Sequence, residues 1–209
     1  GPDKLWLNGL KATRSSNTRS PNATIIQDWI GISTNTSPPD PCLEVGPNHV
    51  VQMTNGSGGA IIQIWDKSGN TLFGPSNLSG LWSQFGLQGL GDPIVLYDRI
   101  ADRWFISEFS SQGNRLLIGI STTNDPTGNY YAYQFQAPSF PDYPKYAVWP
   151  TGYFCTTNEG GGPTIYAMDR ARMLNGQNAT SQRFTVPSLN AFGFQALTPV
   201  DFDGTQQPI

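Results

Sequence analysis

Acidic residues recur near the starts of repeated segments. Asp92 and Asp142 each stand just before or at an apolar, strand-like stretch, and Glu44 and Asp201 stand near the corresponding points of two further stretches. If the segments pack side by side, these carboxylates converge, and carboxylates with backbone carbonyls are ligands that Ca²⁺ prefers. Two alternatives use the same residues. Each acid caps a turn in its own segment, or a pair of them cleaves glycosidic bonds.

Aromatic residues form a second group of candidates. Tyr and Trp side chains can stack on sugars, and they also fill the contacts between packed sheets. The residues that fit either role are Trp82, Tyr130, Tyr131, Tyr143, Tyr146 and Trp149. They predict either a glycan-binding surface or the packing between neighbouring sheets.

The remaining reactive side chains are few. Cys42 and Cys155 are the two cysteines, and they form either a disulfide that closes a long loop or two separate thiols. The single histidine, His49, follows Pro47 at a predicted strand start, which favours a structural role over a catalytic one. One histidine and two distant cysteines exclude zinc sites of the usual kinds.

An internal repeat predicts the elements that carry these residues. The segment MTNGSGGAIIQIWDK (53–67) aligns without a gap on TTNEGGGPTIYAMDR (156–170), at a constant offset of 103 residues. Each copy has the pattern of a strand, a turn, a second strand and a charged turn, which is a hairpin unit. The glycines at 160–162 are therefore predicted to form a hairpin tip. No helix follows them, so a phosphate-binding loop is not expected.

Proline marks the start of successive units, at Pro47, Pro93 and Pro144, with a further start at Pro199. The separations are 46, 51 and 55 residues. Repeats of about 40–50 residues with short strands throughout are typical of propeller blades. The predicted fold is all-β, a β-propeller of four-stranded blades that start near 45, 91, 142 and 197.

The number of predicted units indicates whether they can close a propeller ring. Three complete units fall short of the roughly four to eight blades that close a propeller. We therefore expect residues 40–209 to form part of a ring that further sequence or a partner chain completes. Residues 1–39 are polar and rich in turn residues, with one strand-like core, TIIQDWIGI (24–32). They are predicted to form an N-terminal arm or a strand that closes the ring.

Several segments resemble those of a family of secreted bacterial β-propeller proteins. They are VGPNHVVQM, IWDKSGNTLFG, GDPIVLYDRIADRWFISEF, ISTTNDPTGNYYAYQF, FPDYPKYAVWPTGYFCTTNE and YAMDRARMLNG, within about residues 38–204. The resemblance implies a propeller fold and an extracellular or cell-surface location. Members in Bacteroidetes-type bacteria are often large, and many carry sorting domains for type 9 secretion. The resemblance carries over no catalytic residue, and Leu43-Glu44 stands where the family has Gly-Asp.

Composition narrows the function classes. Charged residues make up 13% of the chain, the net charge is −3, and no basic cluster occurs, which argues against nucleic-acid binding. No apolar run reaches the roughly 18–20 residues that span a bilayer. The low lysine content and the many Asn, Ser and Thr residues suit a secreted protein.

These observations predict an extracellular or cell-surface module for binding or adhesion, or a structural component of a surface assembly. The expected partners are another protein chain, the rest of the propeller, or glycans. The alternative is a secreted polysaccharide-active hydrolase or lyase that uses carboxylates at the channel mouth.

Overall fold

The computed structural model describes residues 25–188 and 196–202. In these ranges the chain is all-β, as predicted, and forms three four-stranded antiparallel sheets. The first sheet contains β1 (Cys42–Val45), β2 (His49–Gly56), β3 (Gly59–Asp66) and β4 (Thr71–Asn77). The second contains β5 (Gly91–Asp98), β6 (Arg103–Ser110), β7 (Arg115–Ser121) and β8 (Tyr130–Gln136). The third contains β9 (Asp142–Trp149), β10 (Gly152–Asn158), β11 (Pro163–Met168) and β12 (Ser181–Thr185).

Each strand pairs with the next one along the chain, so every sheet is a simple meander. Two short helices interrupt this pattern. Helix α1 (Ser79–Trp82) continues into a 3₁₀ turn (Ser83–Phe85) between the first and second sheets. Helix α2 (Arg170–Met173) lies between β11 and β12.

The predicted hairpins are confirmed. The repeated segments 53–67 and 156–170 hold the hairpins that join the second and third strands of the first and third sheets. The turn between β3 and β4 contains Gly69 at φ 83°, a left-handed conformation that favours glycine. The glycines at 160–162 form the hairpin tip between β10 and β11.

One predicted marker of the repeat is wrong. Pro47 lies in the turn between β1 and β2, whereas Pro93 and Pro144 lie inside the first strands of their sheets. The equivalent residue in the first sheet is Pro41, directly before β1. Proline suits both a turn and the free edge of a first strand, so residue type alone does not separate the two places. With Pro41 as the marker, the units are 52 and 51 residues apart.

The second sheet is buried on both faces. Successive side chains of a strand point to opposite faces, and in β5 Val95 and Tyr97 pack toward the first sheet while Ile94 and Leu96 pack toward the third. This explains why the strands of the second sheet read as nearly continuous apolar runs instead of alternating ones.

Two hydrophobic clusters fill the spaces between the sheets. The cluster between the first and second sheets includes Val51, Met53, Ile62, Ile64, Trp82, Val95, Trp104, Ile106 and Leu117. The cluster between the second and third includes Phe105, Leu116, Ile118, Ile120, Tyr146, Val148, Tyr153, Cys155, Tyr166 and Met168. Truncating a fully buried side chain of this size to alanine costs about 2–5 kcal/mol.

A buried carboxyl group joins the first sheet to the second. Glu108 on β6 is fully buried and accepts hydrogen bonds from the Trp82 indole N–H (2.6 Å) and the Ala60 backbone N–H (2.8 Å). No cation pairs with it among the described residues. Burial raises the pKa of Glu108 to about 7, although the hydrogen bonds from Trp82, Ala60 and Gly91 act in the opposite direction.

An ion pair joins the second sheet to the third. Arg170 in α2 donates two hydrogen bonds to Asp98 at the end of β5, at 2.7 and 2.9 Å. The Tyr153 hydroxyl donates to the same carboxylate at 2.8 Å, and Asp98 is fully buried. The geometry is bidentate, which suits a guanidinium and a carboxylate.

Two irregular segments lie on the outer faces of the stack. Residues 25–40 follow the outer face of the first sheet, where Trp29 contacts Trp65 with ring centroids 6.3 Å apart. Residues 196–202 follow the outer face of the third sheet, where Phe202 N–H donates to the Val148 carbonyl at 3.0 Å. Both faces still carry exposed apolar side chains, Leu43 and Val45 on the first sheet and Phe184 on the third.

Candidate functional site

The first strands of the three sheets begin in one shared way. Asp40, Asp92 and Tyr143 each precede a proline, and their φ angles are 38°, 47° and 53°. Positive φ is unusual for a residue with a side chain, and proline further restricts the residue before it. The backbone is therefore strained at the same place in all three sheets, at the start of the first strand. Backbone strain of this kind tends to cluster at functional sites.

Asn55, at the end of β2, holds two of these strand starts together. Its Nδ2 donates to Asp40 Oδ2 at 2.8 Å and to the Pro38 carbonyl at 3.0 Å. Its Oδ1 accepts the backbone N–H of Asp92 at 2.8 Å. A single buried amide thus fixes the first and second sheets relative to each other at this level.

The strand starts surround one small cavity of about 260 Å³. Its lining is Asp40, Pro41, Cys42, Asp92, Pro93, Ile94, Tyr143 and Lys145. The pKa of Asp92 is raised to about 6, chiefly by partial burial and to a smaller extent by the nearby carboxylates of Asp40 and Asp142. A hydrogen bond with Asp40 also favours the protonated form of Asp92. The cavity therefore holds a carboxyl group that titrates near neutral pH beside a second carboxyl group.

A lysine in the same cavity opposes this effect. The positive charge of Lys145 lowers the pKa of Asp92, and its ammonium nitrogen lies 3.8 Å from the centre of the Tyr143 ring. A cation over an aromatic face is attracted by the ring quadrupole. The cavity thus combines acidic groups, a lysine ammonium group and an aromatic ring. Such an arrangement can bind a polar ligand or transfer a proton.

The predicted acids separate into two groups. Asp142 and Asp40 lie near enough to Asp92 for their charges to raise its pKa, and Asp40 and Asp92 line the cavity. Glu44 lies on β1 and accepts the backbone N–H of Val45, while Asp201 accepts the backbone N–H of Val148 at 2.6 Å. Both contacts are hydrogen bonds from backbone N–H groups, and neither residue lines the cavity.

Sequence reasoning missed Asp40 because it took Pro47 as the marker of the first unit. The signal was present as Asp-Pro at 40–41, the same pair as at 92–93.

Among residues 25–188 and 196–202, no group of three or more His, Cys, Asp or Glu side chains is arranged to hold a metal ion. The calcium site stays a prediction from sequence.

The predicted aromatic residues take different roles. Trp82 and Tyr146 are buried between sheets and serve packing, with Tyr146 against the Phe105 ring at 4.9 Å. Trp149 lies at the outer face of the third sheet, where its indole N–H donates to the Val200 carbonyl at 2.6 Å. Tyr143, 41% exposed, borders the strand-start cavity.

Tyr130 and Tyr131 line a second, larger groove beside β8. The Tyr130 ring is half-buried, and its hydroxyl donates to the Pro126 carbonyl at 2.8 Å. The Tyr131 ring is 37% exposed. As neighbours on one strand they point to opposite faces: Tyr130 packs against the cluster between the first and second sheets, and the Tyr131 ring lies on Gly176 of the third sheet's loop.

Both cysteines are free thiols, so the structure contains the second of the two alternatives. Cys42 lies on β1 and Cys155 is buried on β10, in different sheets. Burial raises the pKa of Cys42 to about 11 and raises that of Cys155 further.

His49 begins β2, and its Nε2 lies 3.9 Å from Asp125 Oδ1 in the turn before β8.

Comparisons of the chain with models of protein families, with curated proteins and with solved structures find no match. In the part of the chain that the structure describes, every helix is too short or too polar to cross a membrane.

Proposed function

We propose that this chain is part of an extracellular β-propeller that acts as a binding module or as a structural component of a surface assembly. The observation that carries the proposal is the stacking of three equivalent four-stranded sheets, whose two outermost faces remain apolar. In a propeller each blade covers its neighbour, so an uncovered apolar face calls for a further blade or a partner protein.

The outer face of the third sheet supports this proposal. Residues 196–202 lie on it, and the segment Thr198-Pro199 repeats the residue-plus-proline start of the earlier units. The Thr156 hydroxyl donates to the Leu197 carbonyl at 2.6 Å, which fixes the segment to β10. We interpret residues 196–202 as the first strand of a fourth blade.

The outer face of the first sheet supports it as well. Leu43 and Val45 point to the same side of β1 and are 57% and 42% exposed, and Ile30 of the overlying segment is 91% exposed. Apolar side chains grouped on one sheet face typically mark a contact surface. The low lysine content and the many Asn, Ser and Thr residues support placing the protein outside the cell.

A test uses charge placed on the outer face of the first sheet. We expect the chain to self-associate at high concentration through its open faces, and we expect the double variant Leu43→Asp/Val45→Asp to stay monomeric in sedimentation velocity. The matched control is Ile100→Asp, which changes a 46% exposed isoleucine in the turn between β5 and β6. It should behave like the unmodified chain.

Two results would contradict the proposal. One is an unmodified chain that remains monomeric and binds no apolar dye. The other is equal suppression of self-association by Ile100→Asp, because the effect would then come from net charge and not from the sheet face.

The strand-start cavity favours a second candidate, hydrolysis or elimination on a polysaccharide. Its basis is Asp92, whose pKa of about 6 lies near the operating pH of a general acid or base. Release of sugar ends from a polysaccharide panel, abolished by Asp92→Asn and retained by Glu44→Gln, would establish this activity. No release from any member of the panel would remove it.

A further inference from the structure

A surface groove of about 480 Å³ follows the outer edge of β8, the last strand of the second sheet. One wall is β8, with Tyr130, Tyr131 and Tyr133, and the other is the loop that follows α2, with Gln177 and Asn178. Gln84 of the 3₁₀ turn closes one end. A volume of this size is in the range of small-ligand sites, which is about 300–1,000 Å³.

The tyrosines of the groove are held in place by the loop. The Tyr133 hydroxyl donates to the Met173 carbonyl at 3.0 Å. The Tyr131 ring packs on Gly176, where an added Cβ would lie 2.5 Å from ring atom Cε1. Gly176 also has φ 66°, so both its conformation and its contact with the ring require glycine. The result is an aromatic platform whose ring is 37% exposed and rigidly supported.

The lining of the groove carries no ionised side chain. Its polar groups are tyrosine hydroxyls and the carboxamides of Gln84, Gln134, Gln177 and Asn178. The guanidinium of Arg172, which contacts the groove residue Asn178 through its carbonyl (3.3 Å), is engaged by the Asp169 carboxylate (3.3 Å). Carboxamides both donate and accept, so they match hydroxyl groups, and they give no preference to a charged ligand.

We propose that this groove binds a neutral oligosaccharide, with the Tyr131 ring against the apolar face of a sugar and the carboxamides on its hydroxyl groups. Flat aromatic faces beside amides complement a sugar ring, which has C–H bonds on its faces and hydroxyls at its rim. This inference rests on the proposed binding function and gives it a ligand class. The outer edge of β8 could instead pair with an extended peptide, and such pairing would depend on the backbone and not on the Tyr131 ring.

The experiment is isothermal titration calorimetry of the full chain with cellohexaose, mannohexaose and maltohexaose, and with hexagalacturonate as the charged probe. The chain is made in a host without N-glycosylation, because Asn178-Ala179-Thr180 is a glycosylation sequon inside the groove. The variants are Tyr131→Ala, Tyr131→Phe and Gln177→Ala. Phe184→Ala is the matched control, since Phe184 on β12 is a 50% exposed aromatic residue outside the groove lining.

We expect at least one neutral hexasaccharide to bind, and hexagalacturonate to bind more weakly. Tyr131→Ala should weaken binding roughly tenfold, Gln177→Ala should weaken it several-fold, and Tyr131→Phe and Phe184→Ala should change it less than about twofold. Urea unfolding of each variant shows whether a loss of binding reflects a loss of folding. If Tyr131→Ala unfolds, Gln177→Ala still tests the groove, because it should weaken binding several-fold without changing the ring.

Three results would overturn the proposal. They are no binding of any neutral hexasaccharide at millimolar concentration, binding that Tyr131→Ala leaves unchanged, and tighter binding of hexagalacturonate than of the neutral probes. None of these bears on self-association through the outer faces, so failure here is distinct from failure of the proposed function.

Discussion

Replacing Glu108 with glutamine should change how the stability of the protein depends on pH. Glu108 is fully buried between the first and second sheets, and burial raises its pKa from 4.5 to about 7. The folded state therefore favours the protonated carboxyl group. Its stabilising contribution is complete below about pH 4.5, the value in the unfolded chain, and is lost as the pH rises through about 7.

The size of the effect follows from the shift. One pKa unit corresponds to about 1.4 kcal/mol, so the shift of Glu108 predicts a loss of about 3 kcal/mol of unfolding free energy across this window. Glutamine cannot ionise, so Glu108→Gln should not show this loss. Its amide nitrogen would face the N–H groups of Trp82 or Ala60, which costs about 1–3 kcal/mol at every pH. The variant should thus be less stable than the parent at pH 4. By pH 8 the difference in unfolding free energy should shrink or disappear, because the parent loses stability over this range and the variant does not.

The assay is urea unfolding followed by tryptophan fluorescence at several pH values from 4 to 9. Trp82→Phe provides an independent test, because it removes a hydrogen bond that lowers the pKa of Glu108 and should move the window to higher pH. Trp149→Phe is the matched control. Its indole N–H donates to the Val200 carbonyl and not to a carboxylate, so it should change stability without moving the window. Parallel pH profiles for the parent and Glu108→Gln would show that Glu108 does not cause the loss of stability.

Three further predictions concern Arg170, Asp92 and the two cysteines. Arg170→Met should cost about 3–5 kcal/mol of unfolding free energy, measured by urea unfolding, because it leaves the buried Asp98 carboxylate without its cation; a cost below 1 kcal/mol would contradict this. Asp92→Asn should raise the unfolding free energy above pH 6 by at most about 1 kcal/mol after solvent screening, because it removes a carboxylate whose pKa is raised by partial burial and by the neighbouring acids Asp40 and Asp142; a lower unfolding free energy above pH 6 would contradict this. Cys42 and Cys155 should react slowly with a thiol reagent at pH 8 and both react promptly in denaturant, because burial raises their pKa values; detection of a disulfide in the denatured chain would contradict the structure.

Local patterns in the sequence were sufficient to predict the strands and turns. The hairpins at 53–67 and 156–170 were predicted from strand-forming residues around glycine-rich turns, because turn chemistry depends on neighbouring residues only. The apolar runs of the second sheet also carried a signal, since a strand covered on both faces loses its alternation. The position of Pro41 was missed because proline has two allowed places in such a unit.

The candidate site depended on contacts between distant parts of the chain. Asp92 and Asp142 were paired from their equivalent positions, but the role of Asn55 follows only from its place at the end of β2, where it meets the backbone of the next sheet. In the same way, the tyrosines at 130–131 were visible as aromatic residues, yet nothing local indicated that Gly176 would support the Tyr131 ring.

The all-β class, the repeating hairpins and the residue types available for binding could be predicted from propensity and spacing along the chain. The tertiary structure was needed to show which aromatic residues are covered, which carboxylates share a cavity and which thiols stay apart. Burial and hydrogen bonding between sheets are set by which faces meet, and that pairing joins residues that are roughly 50 positions apart along the chain.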